Sequence, residues 1–342
     1  SDLSVVKKTP AGRDLIKEYT QAVREAGMKV GLYYSLIDWS DPRYRTVYPE
    51  GDDPANHLKD VFATPAGGPE DPEKWQEFLE FNNNQMKELM THYGTIDLLW
   101  FDGDWERSAS QWKAKEFKAY LESMNPHVVV NSRLAGHGDY ETPEQGIPLF
   151  GPEGVWEFCT TINSSWGYRP SDNHYKTSRQ VVRMFCDCIT LGGKMLLDVG
   201  PKEDGTLDER QVKVLEDLGS FIHDNEEAIY STGKGLGYQH FLGGSTLSAD
   251  KKTIYLFVYD KPAEFLCLKG IKTPVKRVSV LHTGEELTYD YTGSLPWSGI
   301  PGTLWIRADK MELHPLTTVV KVDLEGDIRY NIGHGEVVTK KH

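Results

Sequence analysis

Apolar positions recur along this chain at two spacings, and the spacing changes near residue 236. Before that point, stripes repeating every three or four residues alternate with short unbroken apolar runs. That alternation predicts helices interleaved with buried strands. Leu15, Ile16, Tyr19, Val23 and Ala26 form one helical face, with Thr9-Pro10 placed to cap it and Gly27 to end it. Residues 28–35 read as a strand, and Asp71-Pro72 restarts a helix carrying Trp75, Phe78, Leu79, Met86 and Leu89. A strand over 96–102, a helix over about 109–124 and strands at 128–133 and 155–161 follow. Val181, Val182, Phe185 and Ile189 mark a helix over 177–191, stopped by Gly192-Gly193 before a strand at 194–199. Thr206-Leu-Asp-Glu209 has the form of a capping box for a helix with Val212, Leu215, Leu218 and Ile222 on its buried stripe. The Pro-, Gly- and Asp-rich stretch 38–70 reads as a long loop, and 134–153 as another.

Beyond residue 236 the helical spacing disappears. Short strands at 254–259, 275–281, 286–291, 303–306 and 319–324 are separated by turns, as in an antiparallel sandwich. The pattern therefore divides the chain into an α/β region, 1–235, and a β-region, 236–342. Alternating strands and helices imply a parallel sheet, closed into a barrel or, as the second choice, doubly wound. Only about five strands can be counted where a barrel needs eight.

The bulk numbers narrow the function. A length of 342 residues suits two domains, and a formal charge of −13 argues against nucleic acid or an anionic membrane as partner. No apolar run approaches the roughly 20 residues of a spanning helix. Cys159, Cys186, Cys188 and Cys267 are too few and too irregular for a disulfide framework, and Cys186-Asp-Cys188 lacks a metal or redox spacer. The 11 histidines show no metal spacing, and no Gly-rich phosphate loop follows a strand. No cofactor is indicated.

The most informative run is Leu98-Leu-Trp-Phe-Asp-Gly-Asp104. Apolar residues lead up to Asp102 and Gly103 breaks the run, so the carboxylate sits where the strand emerges. In α/β barrels that end carries the chemistry. Trp100 and Trp105 flank it, as suits a site that packs sugar rings.

Seven motifs, in order, resemble the α-L-fucosidases of glycoside hydrolase family 29. They are Gly31-Leu-Tyr-Tyr-Ser-Leu-Ile-Asp-Trp39, Leu99-Trp-Phe-Asp-Gly103, Asn131-Ser-Arg133, Asp139-Tyr-Glu-Thr-Pro-Glu144, Trp156-Glu157, Ser165-Trp-Gly-Tyr168 and Gly192-Gly-Lys-Met-Leu-Leu-Asp-Val-Gly-Pro201. The resemblance covers nearly all of 1–235. It implies a (β/α)8-like, TIM-type barrel followed by a C-terminal antiparallel β-sandwich, and a retaining exo-glycosidase that releases terminal α-L-fucose without metal or cofactor. Asp102 takes the place of the nucleophile and Glu144 that of the acid/base, with Glu157 as the rival acid. Arg133, Tyr34 (chosen over Tyr33), Trp166 and Glu157 are the implied sugar-site residues. The family's His-His-Asp-Gly segment and first two barrel strands have no counterpart, so the expected barrel is incomplete at its N-terminus, the missing segment belonging either to a longer native chain or to another polypeptide. A fucosylated oligosaccharide or glycoconjugate is the implied partner, and a secreted, periplasmic or lysosomal location is implied too. Two other readings stay open: a retaining α-galactosidase-like hydrolase, and a truncated barrel that only binds glycan.

Overall fold

The computed structural model describes residues 2–44, 71–295, 297 and 301–330. Most of the loop expected at 38–70 lies outside the described residues. The chain divides into two compact units, residues 1–142 and 143–342.

The first unit carries helices α1 (Val5–Lys8) and α2 (Leu15–Glu25), strand β1 (Gly31–Ser35), helix α3 (Pro72–His92), strand β2 (Leu98–Asp102), helices α4 (Ala109–Trp112) and α5 (Ala114–Met124), and strand β3 (Val129–Val130). Thr9-Pro10 does not open α2. Thr9 closes α1, and Asp14 caps α2 by accepting from the Lys17 N–H. The helix expected over 109–124 is two helices, broken where Lys113 adopts φ +51°. Asp71 and Pro72 open α3 as the sequence predicts.

The three strands run parallel in the order β1-β2-β3, with Tyr33 opposite Trp100 and Ser35 opposite Asp102. Side chains alternate between faces. Leu32, Leu99, Phe101 and Val130 pack with Phe78, Met86 and Leu121 into one apolar core beneath the helices. The other face therefore presents Tyr33, Trp100 and Asp102. Of the strand expected at 128–133, Val129 and Val130 form the ladder with β2, and Asn131 bridges Tyr140 beyond it. Asn131 extends the ladder with its side chain: Oδ1 accepts from Phe101 N–H at 2.8 Å and Nδ2 donates to Phe101 O at 2.9 Å.

That amide is fully buried, so its loss leaves two backbone groups of β2 unpaired in the core. Asn131→Ala should cost about 2–4 kcal/mol, read as a lower urea midpoint at unchanged slope. A loss below about 0.5 kcal/mol would show that the β2 backbone does not depend on this side chain.

The second unit opens with the parallel pair β4 (Glu157–Thr161) and β5 (Lys194–Asp198), with α6 (Ser178–Thr190) between them in sequence. Thr177 and Gln180 form a reciprocal capping box on α6. Helices α7 (Glu209–Asp224) and α8 (Glu226–Ile229) follow. The box expected at Thr206 is not formed: Thr206 Oγ1 donates to Asp204, and Asp208 caps α7.

Antiparallel pairing begins at β6 (Thr232–Lys234) and continues through β7 (Gly244–Ser248), β8 (Thr253–Val258), β9 (Phe265–Lys269), β10 (Val275–Val280), β11 (Tyr289–Thr292), β12 (Thr303–Arg307) and β13 (Thr318–Leu324). They form two sheets, β10-β13-β8-β7-β6 and β11-β12-β9. Leu256, Val320 and Val322 of the first meet Leu268, Leu304 and Ile306 of the second in a shared core. The larger sheet is covered on its other face as well, where Tyr255, Phe257 and Val319 pack on Val182, Cys186 and Phe221 of α6 and α7.

Candidate active site

Alternation along β1 and β2 decides which side chains meet at Asp102. Tyr33 and Trp100 are register partners on the face away from the helices, and their rings stack at 5.7 Å. The Tyr33 hydroxyl donates to Asp102 Oδ2 at 2.9 Å. Arg133 Nη1 donates to Asp102 Oδ1 at 2.9 Å, and its guanidinium lies 4.6 Å from the Trp100 ring centroid. Each carboxylate oxygen thus has a fixed donor, and one indole supports both donors. Arg133 is itself held by Thr142, through Nε to Oγ1 at 3.3 Å and Nη2 to the carbonyl at 3.4 Å. Charge-assisted bonds of this kind set orientation as well as energy.

Gly103 makes the sharp exit after Asp102. Its φ is +84°, and a Cβ there would lie 2.7 Å from Ile37 Cγ1, so both conformation and space require glycine. Asp104 accepts from the Ala135 N–H at 2.6 Å, which ties the loop after Arg133 to the strand exit; Ser108, and not Asp104, caps the next helix. Trp105 is exposed.

Tyr34, the tyrosine expected at the site, faces the opposite way. Its hydroxyl bonds Asn82 at 3.0 Å and Gln85 at 2.6 Å on α3, and burial pushes its phenol pKa up. Tyr33, 61% exposed, takes the place at Asp102. The reason is the period of two: Val30, Leu32 and Leu36 are buried, and Tyr34 shares their parity.

In the second unit, Glu144 lies beside the middle of β4 in a parallel bridge to Cys159. Cys159 N–H donates to the Pro143 carbonyl at 3.0 Å and Gln145 N–H to the Cys159 carbonyl at 2.9 Å, so 143–145 runs as a short added strand. The Gln145 side chain ties it further to Thr160 and Thr161. Glu157 opens β4 opposite Lys194, at the amino end of the parallel pair. It stands at the other end of β4 from Thr161 and Asp198. Trp166 is 48% exposed on the loop after β4. Asp172 clamps that loop: it accepts from the His174 N–H, the Ser165 hydroxyl, the Asn163 amide and the Ser164 N–H, which together hold its carboxyl down at about 2. Gln211 of α7 completes the clamp by bonding Asn163 at 3.1 Å.

Asn131, Thr142 and Asp172 are positioning groups to which the sequence assigns no role, and Tyr33 is one that it sets below Tyr34. Parity identifies Tyr33, and the Asn131-Ser-Arg133 and Asp139-Tyr-Glu-Thr-Pro-Glu144 motifs contain Asn131 and Thr142, whereas Asp172 carries no local signal. Among the described residues no group of three or more His, Cys, Asp or Glu is placed to hold a metal ion.

Fold and site together define an α/β protein with a carboxylate, an arginine and a tyrosine fixed on an indole at a parallel-strand end. The α-L-fucosidase family model matches residues 1–227. The chain belongs to the α-L-fucosidase family, glycoside hydrolase family 29. It is 33% identical over 233 residues to tissue α-L-fucosidase of Rattus norvegicus, covering 64% of this chain and 46% of that protein. It is 28% identical over 267 residues to an α-L-fucosidase of Dictyostelium discoideum, covering 75% and 54%. The chain thus spans about half the length of these curated relatives. Among solved structures it resembles α-L-fucosidase isoenzyme 1 from Paenibacillus thiaminolyticus, with TM-score 0.78, 32% identity and coverage of 94% of this chain and 79% of that one. It also resembles a family 29 α-L-fucosidase from Bacteroides thetaiotaomicron, a trapped covalent intermediate with 2-fluoro-fucosyl fluoride, with TM-score 0.76, 26% identity and coverage of 94% and 73%.

Proposed function

We propose that this chain belongs to a retaining exo-α-L-fucosidase, which hydrolyses terminal α-L-fucose by double displacement. The observation that carries the reading is Asp102 at the strand end, with one oxygen on Arg133, the other on Tyr33, and Trp100 beneath both donors. A nucleophilic carboxylate must meet the anomeric carbon in one orientation, and two fixed donors supply that. The covalent fucosyl intermediate trapped in the Bacteroides relative supports the same chemistry here.

In this reading Asp102 attacks the anomeric carbon, and Glu144 protonates the departing oxygen and then activates water. Such a pair works at a separation of about 5–5.5 Å. Arg133 and Trp166 bind the sugar, and Tyr33 holds the nucleophile. Glu157, at the amino end of β4, takes a structural role beside Lys194. The parallel strands belong to a TIM-type barrel, residues 1–235 to the catalytic domain, and 236–342 to a sandwich. The substrate is a fucosylated glycoconjugate, and the location secreted, periplasmic or lysosomal.

The test is hydrolysis of 4-nitrophenyl α-L-fucoside against the matching α-D-galactoside, with the first-formed sugar anomer read by proton NMR. Release of α-L-fucose with fucoside preferred supports the reading. Release of the β-anomer, or preference for the galactoside, would overturn it.

A further inference from the structure

The Asp102 cluster does not account for every strand-end carboxyl. Asp198 closes β5 opposite Thr161. Met195 and Leu197 of the same strand pack toward the helices, so Asp198 stands on the other face with half-exposed Leu196. Its Oδ2 is sealed from solvent and has no hydrogen-bond partner among the described residues. Burial, with no opposing donor, pushes its carboxyl up to about 6. Asp172, also enclosed, shows the contrast: its donors keep it ionised. A buried carboxyl oxygen without a partner is rare and calls for a reason.

The surroundings supply one. The loop carrying Trp166 folds onto the exit of β5, where a Cβ on Gly200 would run into the backbone of Gly167 and Tyr168. The half-exposed indole and the acid therefore flank one strand exit. The neighbouring charged and titratable groups are Glu144 beside β4, Glu157 and Cys159 on β4, Lys194 at the far end of β5, Lys176 with its amine on the Thr161 carbonyl, Asp172 in the loop clamp, and Lys202 near Tyr168. None of them bonds Asp198 Oδ2.

We propose that Asp198 contacts the ligand: with Oδ2 sealed and unpaired, the protonated carboxyl presents its other oxygen, Oδ1, which donates a hydrogen bond to an oxygen of the fucose-configured sugar packed on Trp166. This rests on the fucosidase reading and adds a sugar-binding residue to it. The donor exists only while the carboxyl is neutral, so affinity for an uncharged sugar falls as pH rises through its titration.

The probe is 4-nitrophenyl 1-thio-α-L-fucoside, uncharged and resistant to hydrolysis, titrated calorimetrically into the full chain at about pH 5 and about pH 7.5. Wild type should lose about tenfold in affinity between them. Asp198→Asn keeps a donor at both pH values and should hold the acid-side affinity throughout. Asp198→Leu, with no donor, should bind weakly at both. An Asn variant that repeats the wild-type loss, or a Leu variant with full acid-side affinity, overturns the proposal and leaves the fucosidase reading standing. If wild type binds no thiofucoside at any pH, both fall.

Thermal unfolding reads the proton directly. A carboxyl raised to about 6 when folded loses its stabilising contribution as pH climbs from about 4 through 6. Asp198→Asn should therefore gain on wild type above about pH 6 and match it below about pH 4. A difference that stays flat across this range also overturns the proposal.

Discussion

Replacing Asp102 with alanine lowers kcat on 4-nitrophenyl α-L-fucoside by on the order of 10⁴-fold, because no covalent intermediate can form. Azide or formate, small enough to enter the space left by the carboxylate, restores part of the rate and yields product of inverted configuration. A 2-fluoro fucosyl reagent labels the wild-type peptide containing Asp102, and mass spectrometry of the digest reads the site. A label on any other acid would remove Asp102 from its role. Tyr33 grips one oxygen of Asp102, so its loss should misorient the nucleophile and act chiefly on kcat, whereas loss of Arg133, which holds the other oxygen and also binds the sugar, should lower kcat and raise KM together.

Glu144→Ala separates substrates by leaving group. An acid catalyst contributes about 10²–10⁴-fold when the aglycone is a poor leaving group and far less when it departs unaided. The variant should therefore lose that factor on alkyl or glycan fucosides, lose little on activated aryl fucosides, and lose the alkaline limb of the pH profile. Glu157→Ala should depress both substrate types alike, since an acid opening β4 opposite Lys194 acts through the fold. If Glu157→Ala shows the leaving-group dependence and Glu144→Ala does not, the two roles are exchanged.

Much of this was legible in the amino-acid order because burial writes itself as period. The strand ending at Asp102 showed as an apolar run, and α3, α6 and α7 as stripes. Failures came where a local signal had a rival within a few residues. Asp14 outcompeted Thr9, and Asp208 outcompeted Thr206, as helix caps. Tyr33 and Tyr34 are chemically identical, and only the buried parity of Val30, Leu32 and Leu36 separates them. Strand β3 is short because the Asn131 side chain replaces backbone pairing, which no periodicity reports. The change of pattern near residue 236 marks where strand pairing turns antiparallel, yet Tyr255, Phe257 and Val319 need α6 and α7 as cover. That dependence is tertiary and leaves no mark on spacing.

The amide of Asn131 also bears on how the protein ages. Asn-Ser sequences deamidate when the following backbone nitrogen attacks the side-chain carbonyl to close a succinimide. Here that nitrogen, of Ser132, donates to the Tyr140 carbonyl at 2.8 Å, while the Asn131 amide is locked on Phe101. The folded chain thus withholds both reactants, and cyclisation at this site has to wait for β2 and β3 to separate. Isoaspartate at residue 131 in an old preparation would be a chemical record of how often that opening had occurred.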